Sequence, residues 1–149
     1  MIKKTFKGQI PMGEQEKIHL STADGLTGYR IVKFQVISKK PGQQNLEMIG
    51  QIFTTDQTNK ISNEVDFSNA DLLAVCYHAE GHDNDKIFNQ FVIFDGEIIN
   101  QDIFINITDP TGSTVPGNFY IELEQIKLNS NQSTFITLKN IRSKTQNMV

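Results

Sequence analysis

The stretch Ile99-Asn100-Gln101-Asp102-Ile103-Phe104-Ile105-Asn106-Ile107 alternates between two kinds of residue. Every second position is isoleucine, apart from Gln101, and the positions between are polar, apart from Phe104. Successive side chains of a β-strand point to opposite faces, so a period of two predicts a strand with one face buried in a core.

Residues 118–128 repeat this pattern farther along the chain, with Phe119, Ile121 and Leu123 alternating with polar residues. The phase then changes, and Ile126 and Leu128 fall on the opposite parity. We expect a one-residue β-bulge near Glu124-Gln125 to return these two side chains to the core face.

The same reasoning, applied to the whole chain, predicts about eight short strands separated by turn residues. They lie near residues 2–10, 15–22, 28–38, 46–54, 71–78, 87–94, 97–107 and 118–128. Asp95-Gly96 lies between two apolar runs and predicts a type I′ hairpin, because Gly accepts the positive φ that this turn requires. A helix is predicted from Ser133 or Thr134 to Arg142, with Phe135, Leu138 and Ile141 on one face. A final strand over the same residues fits the sequence pattern equally well.

Strands that follow one another without helices between them exclude a parallel α/β fold. We therefore expect an all-β fold, an antiparallel two-sheet β-sandwich with jelly-roll-like connections, and an immunoglobulin-like sandwich is the alternative. The 149 residues fit a single domain, 1–149, with short basic N- and C-terminal ends.

Charge is unevenly distributed along the chain, which has a formal net charge of −3. Lys3, Lys4 and Lys7 lie near the start, and Lys139, Arg142 and Lys144 lie near the end, with no acid close to either group. The 8 other basic and 17 acidic residues give the middle a charge of −9. The ends could contact nucleic acid weakly or an acidic neighbour, or they could be solvated and frayed. No signal peptide or membrane helix is predicted, so we expect synthesis in a cytoplasm.

One segment resembles a reactive site, the run from His78 through Glu80 and His82 to Asp83-Asn84-Asp85. Its residue types can bind metals, but two histidines four apart need a helix to face the same ion, and a strand end is predicted here. We therefore predict no metal site, no cofactor and no catalytic residue. Cys76 lies in an apolar run and is expected to be a buried, unreactive thiol.

Neutral polar residues are abundant, since Asn and Gln make up 25 of the 149 residues. They recur at outward strand positions and in loops, where they form hydrogen bonds without the desolvation cost of charges. Sugar-binding sandwiches usually stack a sugar on an exposed aromatic ring, and this chain has no Trp. Tyr29 and Tyr120 are candidates for outward-facing rings, but we expect both to be ordinary, partly buried tyrosines.

Five segments together resemble a family of small, largely uncharacterised proteins encoded by marine and other aquatic bacteriophages. The segments are Gly28-Tyr29-Arg30-Ile31-Val32-Lys33-Phe34, Ile52-Phe53-Thr54-Thr55-Asp56-Gln57-Thr58, Asn100-Gln101-Asp102-Ile103-Phe104, residues 118–128, and Leu138-Lys139-Asn140-Ile141-Arg142. The resemblance covers roughly residues 28–145 and implies a virion component, such as a capsid, decoration or spike protein. It implies a role for no individual residue.

Three functions follow as expectations. The first is a non-enzymatic viral structural protein, located in the virion, which associates with itself and with other virion proteins. The second is a β-sandwich module that binds a glycan or a receptor. The third is a cupin-like metal-dependent enzyme, for which the chain lacks the His-x-His pair that such sites use.

Overall fold

Eight strands and one helix make up the computed structural model, which describes residues 1–42, 45–81, 88–94 and 96–147, with side chains up to Lys139. The strands are β1 Ile2–Ile10, β2 Gln15–Ile18, β3 Thr27–Ser38, β4 Leu46–Phe53, β5 Leu72–Glu80, β6 Phe88–Ile93, β7 Ile103–Thr108 and β8 Gly117–Lys127. The helix α1 covers Ser130–Asn147. None of the described residues forms a helix that is both long enough and apolar enough to cross a bilayer.

The strands form two antiparallel sheets, which confirms the predicted all-β sandwich. The smaller sheet, sheet A, has the order β1-β8-β3, and the larger, sheet B, has the order β2-β7-β4-β5-β6. The pairs β1 with β8, β2 with β7 and β4 with β5 are nested within one another along the chain. Such nesting results when a long hairpin folds across two sheets, and it characterises the jelly roll.

The predicted strand 97–107 divides between the two sheets. Ile99 forms an isolated bridge with Tyr29 at the free edge of β3, and the chain then crosses over to enter sheet B as β7. Ile99 therefore lies beside β3. A pair between β3 and this segment is the one missing from the nested series of β1 with β8, β2 with β7 and β4 with β5. The alternation in the sequence is continuous across the crossing, so it could not reveal that two sheets are involved.

The hairpin predicted at Asp95-Gly96 is wrong, because the strands on either side are not neighbours. β6 pairs with β5, whereas β7 lies between β2 and β4. Gly96 does have a positive φ of 85°, as its turn chemistry predicts, although it belongs to the connection between sheets. Asp95 lies outside the described residues.

The bulge predicted at Glu124-Gln125 is also wrong. β8 pairs in unbroken register through this region with both of its neighbours. The irregularity lies on β3, between Ile31 and Lys33, opposite Leu123 and Glu122. The extra residue on β3 brings both Ile31 and Phe34 to the core face, which explains the mixed apolar pattern of that strand.

The core lies between the sheets, where the two alternating rows identified from the sequence meet in one apolar cluster. The side chains of both rows are fully or almost fully buried: Ile103, Ile105, Ile107, Phe119, Ile121 and Leu123. Gly117 permits a close approach here, because a Cβ atom at this position would lie 2.3 Å from Met48 Cε.

The last element is a helix, so the alternative of a final strand is wrong, and it begins earlier than predicted. Asn129 Oδ1 accepts from the Gln132 backbone N–H at 2.8 Å, and Gln132 Oε1 accepts from the Asn129 N–H at 3.0 Å. This reciprocal capping box places the cap at Asn129. Among the described side chains of the helix, Phe135 and Leu138 are exposed and Ile136 is buried, and the side chain of Ile141 lies outside the described residues.

Candidate functional site

A groove of about 630 Å³ is lined by residues of both sheets, with three strands of sheet A contributing most of them. The strand register places two rows of outward side chains across β1, β8 and β3, on either side of the core-facing row of Gly8, Phe119 and Val36. The first row is Lys7, Tyr120 and Gln35, and the second is Gln9, Asn118 and Ile37. Between these rows the intervening residues point into the core, as the burial of Phe119 and Val36 shows.

Two more residues line the groove from sheet B, His78 of β5 and Asn89 of β6, on the face of that sheet that carries the core residues Met48 and Cys76. They pair with each other across the strands. The described lining residues include four carboxamides, one phenol, one ammonium group and one imidazole. The polar side chains of sheet A point away from the core, whereas His78 and Asn89 face the space between the sheets.

Hydrogen bonds fix several of these groups. Gln9 Nε2 donates to Asn118 Oδ1 at 3.0 Å. The Tyr120 hydroxyl donates to Glu122 Oε1 at 3.1 Å. The pKa of the Tyr120 phenol is raised, first because the phenolate is partly desolvated and then because Glu122 accepts its proton and is negatively charged. The phenol stays protonated at neutral pH, and its ring is held in place from the hydroxyl end.

Tyr120 alternates with the buried Phe119 and Ile121, so it points outward from β8, and it is partly buried. Tyr29 is different. It is buried in the core at the end of β3, beneath the ammonium group of Lys4, which lies 5.7 Å from the ring centroid. Its hydrophobic ring therefore stabilises the sandwich and is not available to a ligand.

His78 and Glu80 form a buried pair on one face of β5. His78 Nε2 lies 3.1 Å from Glu80 Oε2, and Glu80 Oε1 accepts from the Gly42 backbone N–H at 2.8 Å. His78 Nδ1 is buried and has no hydrogen-bond partner among the described residues. His78 is an internal residue of a strand, whereas the sequence predicted a strand end at this position.

The rest of the predicted metal-capable segment, His82 to Asp85, lies outside the described residues. Within residues 1–42, 45–81, 88–94 and 96–147, no group of three or more His, Cys, Asp or Glu side chains is arranged to hold a metal ion. Cys76 is buried, as predicted, and its burial raises the pKa of the thiol although the Val36 backbone lowers it.

A second, smaller cavity of about 110 Å³ lies against the outer face of sheet B, partly under the connection between β4 and β5. Gln51 and Asn106 line its sheet side, and Ser62, Glu64 and Asp66 line its loop side. Asn106 is buried, and its Oδ1 accepts no hydrogen bond from the described residues. A water molecule is the ordinary partner for such an oxygen in a cavity of this size.

Asp102 occupies the crossing between the sheets. Its Oδ1 accepts from the backbone N–H groups of Leu20 and Ser21, and Lys17 Nζ lies 3.3 Å from its Oδ2. Burial would raise the pKa of Asp102, but the N–H groups of Ser21 and Leu20, with the side chains of Ser21 and Lys17, hold it well below its usual range. These bonds end β2 at Ile18, because Leu20 and Ser21 bind a side chain in place of a neighbouring strand.

No family model matches this chain, and no curated protein matches it in a sequence search.

The groove was not predicted from the sequence. Its signal was present in the outward Asn and Gln residues, but the pairing of strands distant in sequence is needed to bring Gln9, Gln35 and Asn118 together.

Proposed function

We propose that this chain is a non-enzymatic structural protein of a bacteriophage virion, a capsid, decoration or spike component that associates with copies of itself. Two lines of support come from the sequence and the fold. The strand sequences resemble those of small phage proteins, and the nested pairing is that of a jelly roll, an architecture found in capsid proteins and also in lectins and cupins.

The observation that carries the self-association is the edge strand β6. Its sequence, Phe88-Asn89-Gln90-Phe91-Val92-Ile93, contains no charge and no proline. Phe88 and Phe91 are 52% and 54% exposed. Natural proteins usually protect a sheet edge with lysines, prolines or bulges, because its free N–H and C=O groups can pair with another chain. An edge without this protection suits a strand that a neighbour covers.

An edge strand of the other sheet provides the contrast. β1 is the outer strand of sheet A, and it contains Lys3, Lys4 and Lys7. Two copies of β1 would bring six ammonium groups together, whereas two copies of β6 meet without charge repulsion. A second copy of this chain, pairing through β6, is therefore the partner that we propose.

Light scattering coupled to size-exclusion chromatography tests the self-association on the full chain. We expect an oligomer for the natural sequence and a monomer for Phe91→Lys, which introduces a charge at the edge. Phe135→Lys is the matched control, because Phe135 is 71% exposed but lies on α1. A monomer at every concentration up to about 1 mM, or dissociation by the control alone, would contradict the proposal.

The virion location needs a separate experiment. We expect peptides of this chain, at many copies per particle, in mass spectra of density-purified phage particles from cultures that express it. Detection only in the particle-free lysate would contradict the virion role. That result would leave the light-scattering result, and hence the self-association, unaffected.

A further inference from the structure

The small cavity between sheet B and the connection from β4 to β5 has the composition of a cation site. We propose that it binds a calcium ion, with the Asn106 side-chain oxygen as its buried ligand and the carboxylates of Glu64 and Asp66 as its charged ligands. The prediction that the chain has no metal site rests on the segment around His78, which lies on the opposite, core-facing side of sheet B. The proposal is independent of self-association through β6, since none of the described lining residues belongs to that strand.

Asn106 is the residue on which the proposal depends. It alternates along β7 with the core residues Ile105 and Ile107, so its side chain points away from the core and into the cavity on the outer face of sheet B. Asn106 is 2% exposed, and its Oδ1 has no hydrogen-bond partner among the described residues. A buried acceptor without a partner destabilises a fold, and a bound ion or donor removes that penalty.

Two more buried amides in the lining use their nitrogens elsewhere. Gln57 Nε2 donates to the Thr55 carbonyl at 3.2 Å and to the Thr55 hydroxyl at 2.9 Å, so both of its amide hydrogens are used and Oε1 is its remaining polar atom. Gln51, which pairs with Asn106 across the strands, donates from Nε2 to the Glu64 carbonyl at 3.1 Å. The amides of the lining therefore offer acceptor oxygens in excess of donor hydrogens.

The loop side of the cavity supplies negative charge. Glu64 and Asp66 line it together with Lys60, which is the one basic residue of the described lining, so two carboxylates face one ammonium group. Asp66 Oδ1 accepts from the Ser68 hydroxyl at 2.5 Å and from the Ser68 backbone N–H at 2.9 Å. These bonds lower the pKa of Asp66, so its carboxylate is charged at neutral pH, and they hold it in one orientation.

Carboxylate and amide oxygens are the ligands that calcium prefers. Ca²⁺ accepts six to eight oxygens in a flexible geometry, whereas Mg²⁺ requires a near-ideal octahedron and gives up its water reluctantly. A cavity of about 110 Å³ has room for an ion and two or three of its waters, at about 30 Å³ per water. With only two carboxylates, we expect a weak site with a Kd of roughly 0.1–1 mM. Water without an ion is the alternative occupant, and it predicts no response to calcium.

The experiment titrates calcium chloride, and in parallel magnesium chloride, into the chelator-treated full chain in a calorimeter. We expect calcium to bind at least tenfold more tightly than magnesium and to raise the melting temperature. Glu64→Gln removes a charged ligand from an exposed position and should weaken calcium binding at least fivefold. Asn106→Asp replaces the neutral buried oxygen with a charged one and should strengthen it at least fivefold. Glu14→Gln, at an exposed acid outside the cavity, is the control.

Thermal unfolding in the absence of calcium establishes that each variant is folded, and Glu64→Gln carries the test if Asn106→Asp is not. The proposal is overturned if about 10 mM calcium gives neither binding heat nor a change in the melting temperature of the natural chain. It is equally overturned if magnesium binds as tightly as calcium, or if Glu64→Gln binds calcium as the natural chain does. None of these outcomes bears on the self-association measured by light scattering.

Discussion

Asp102 Oδ1 lies 2.9 Å from the backbone nitrogen of Leu20, although 82 positions separate the two residues. The same oxygen accepts from the Ser21 N–H at 2.9 Å. Asp102 thereby ties the crossing that carries the chain from sheet A to sheet B to the end of β2. Hydrogen bonds to a charged group contribute more to stability than neutral ones.

Asp102→Ala should lower the free energy of unfolding by about 2–3 kcal/mol, because two partly buried N–H groups lose their charged acceptor. Asp102→Asn keeps an acceptor oxygen and should cost less. Urea denaturation at neutral pH measures both changes. Glu14→Gln, at an exposed acid just before β2, should change the unfolding free energy very little, and an equal effect from this control would contradict the assigned role.

The stability of the natural chain should depend on pH through the same carboxylate. The pKa of Asp102 is lower in the folded chain than in the unfolded chain, where it is about 3.9. Its contribution is therefore complete above about pH 5 and is lost as the pH falls through 3.9 toward the folded pKa. Denaturation curves from pH 6 to pH 2 should fall less steeply for Asp102→Asn than for the natural chain. Parallel curves would show that other carboxylates dominate.

The buried pair of His78 and Glu80 should also contribute to the stability of the fold. Glu80→Ala removes the partner of His78 Nε2 and the acceptor of the Gly42 N–H, and it leaves a buried imidazole without a partner. We expect a loss of about 1–3 kcal/mol, the usual cost of leaving a buried polar group without its hydrogen-bond partner. The comparison is Glu47→Ala on the neighbouring strand, at a half-exposed carboxylate. Similar melting temperatures for Glu80→Ala and Glu47→Ala would contradict a stabilising role of the buried pair.

The strand elements were predictable because alternation is a local property. The rows through Ile103 and Ile121 identify buried faces wherever the partner strands lie. Their partners were not predictable, since Gly8, Phe119 and Val36 come together only through the nested pairing. The same applies to the bulge, because the phase change seen near Glu124 did not reveal that the extra residue lies on β3.

The helix and the groove show two further limits of prediction from the sequence. The capping box of Asn129 and Gln132 uses ordinary capping residues, but Ser133 and Thr134 offered an equally good cap farther along. The outer face of sheet A beside the groove gathers Asn and Gln side chains that the sequence displays. Which of the 25 Asn and Gln residues share a surface is decided by strand register alone.

A metal measurement tests the expectation that the segment around His78 forms no metal site. His78 Nε2 is engaged by Glu80 in the folded strand, so this nitrogen is not available to an ion. We expect protein purified without chelator to contain zinc, iron and manganese well below one atom per chain by plasma mass spectrometry. A metal-to-protein ratio near one that is lost in His82→Ala would contradict the prediction and support the cupin-like alternative.

Gly96 should be sensitive to substitution through its backbone alone. Its φ is 85°, and no atom of the described residues, its chain neighbours aside, lies within 4 Å of the position of an added Cβ. Gly96→Val should therefore cost about 1–3 kcal/mol, chiefly from backbone strain. Gly117→Ala is the opposite case, since its cost would come from contact with Met48 Cε. An unchanged melting temperature for Gly96→Val would show that this connection relaxes freely.

Asn100 joins the crossing between the sheets to the helix. It is fully buried, and its Nδ2 donates to the Gly25 carbonyl at 3.2 Å and to Thr137 Oγ1 of α1 at 2.8 Å. Ser133 Oγ donates to the same Gly25 carbonyl at 2.7 Å. The helix is thus attached to the sandwich by hydrogen bonds around Asn100 as well as by the burial of Ile136.

Asn100→Ala should lower the free energy of unfolding by about 2–4 kcal/mol, because it leaves buried partners unsatisfied and opens a cavity. Thr137→Val, which removes one of the two acceptors but preserves shape, should cost about 1 kcal/mol. A chain ending at Asn129 lacks both Ser133 and Thr137, so Asn100→Ala should cost less there than in the full chain. If the substitution costs the same in both chains, Asn100 stabilises the crossing alone, and α1 is attached by other contacts.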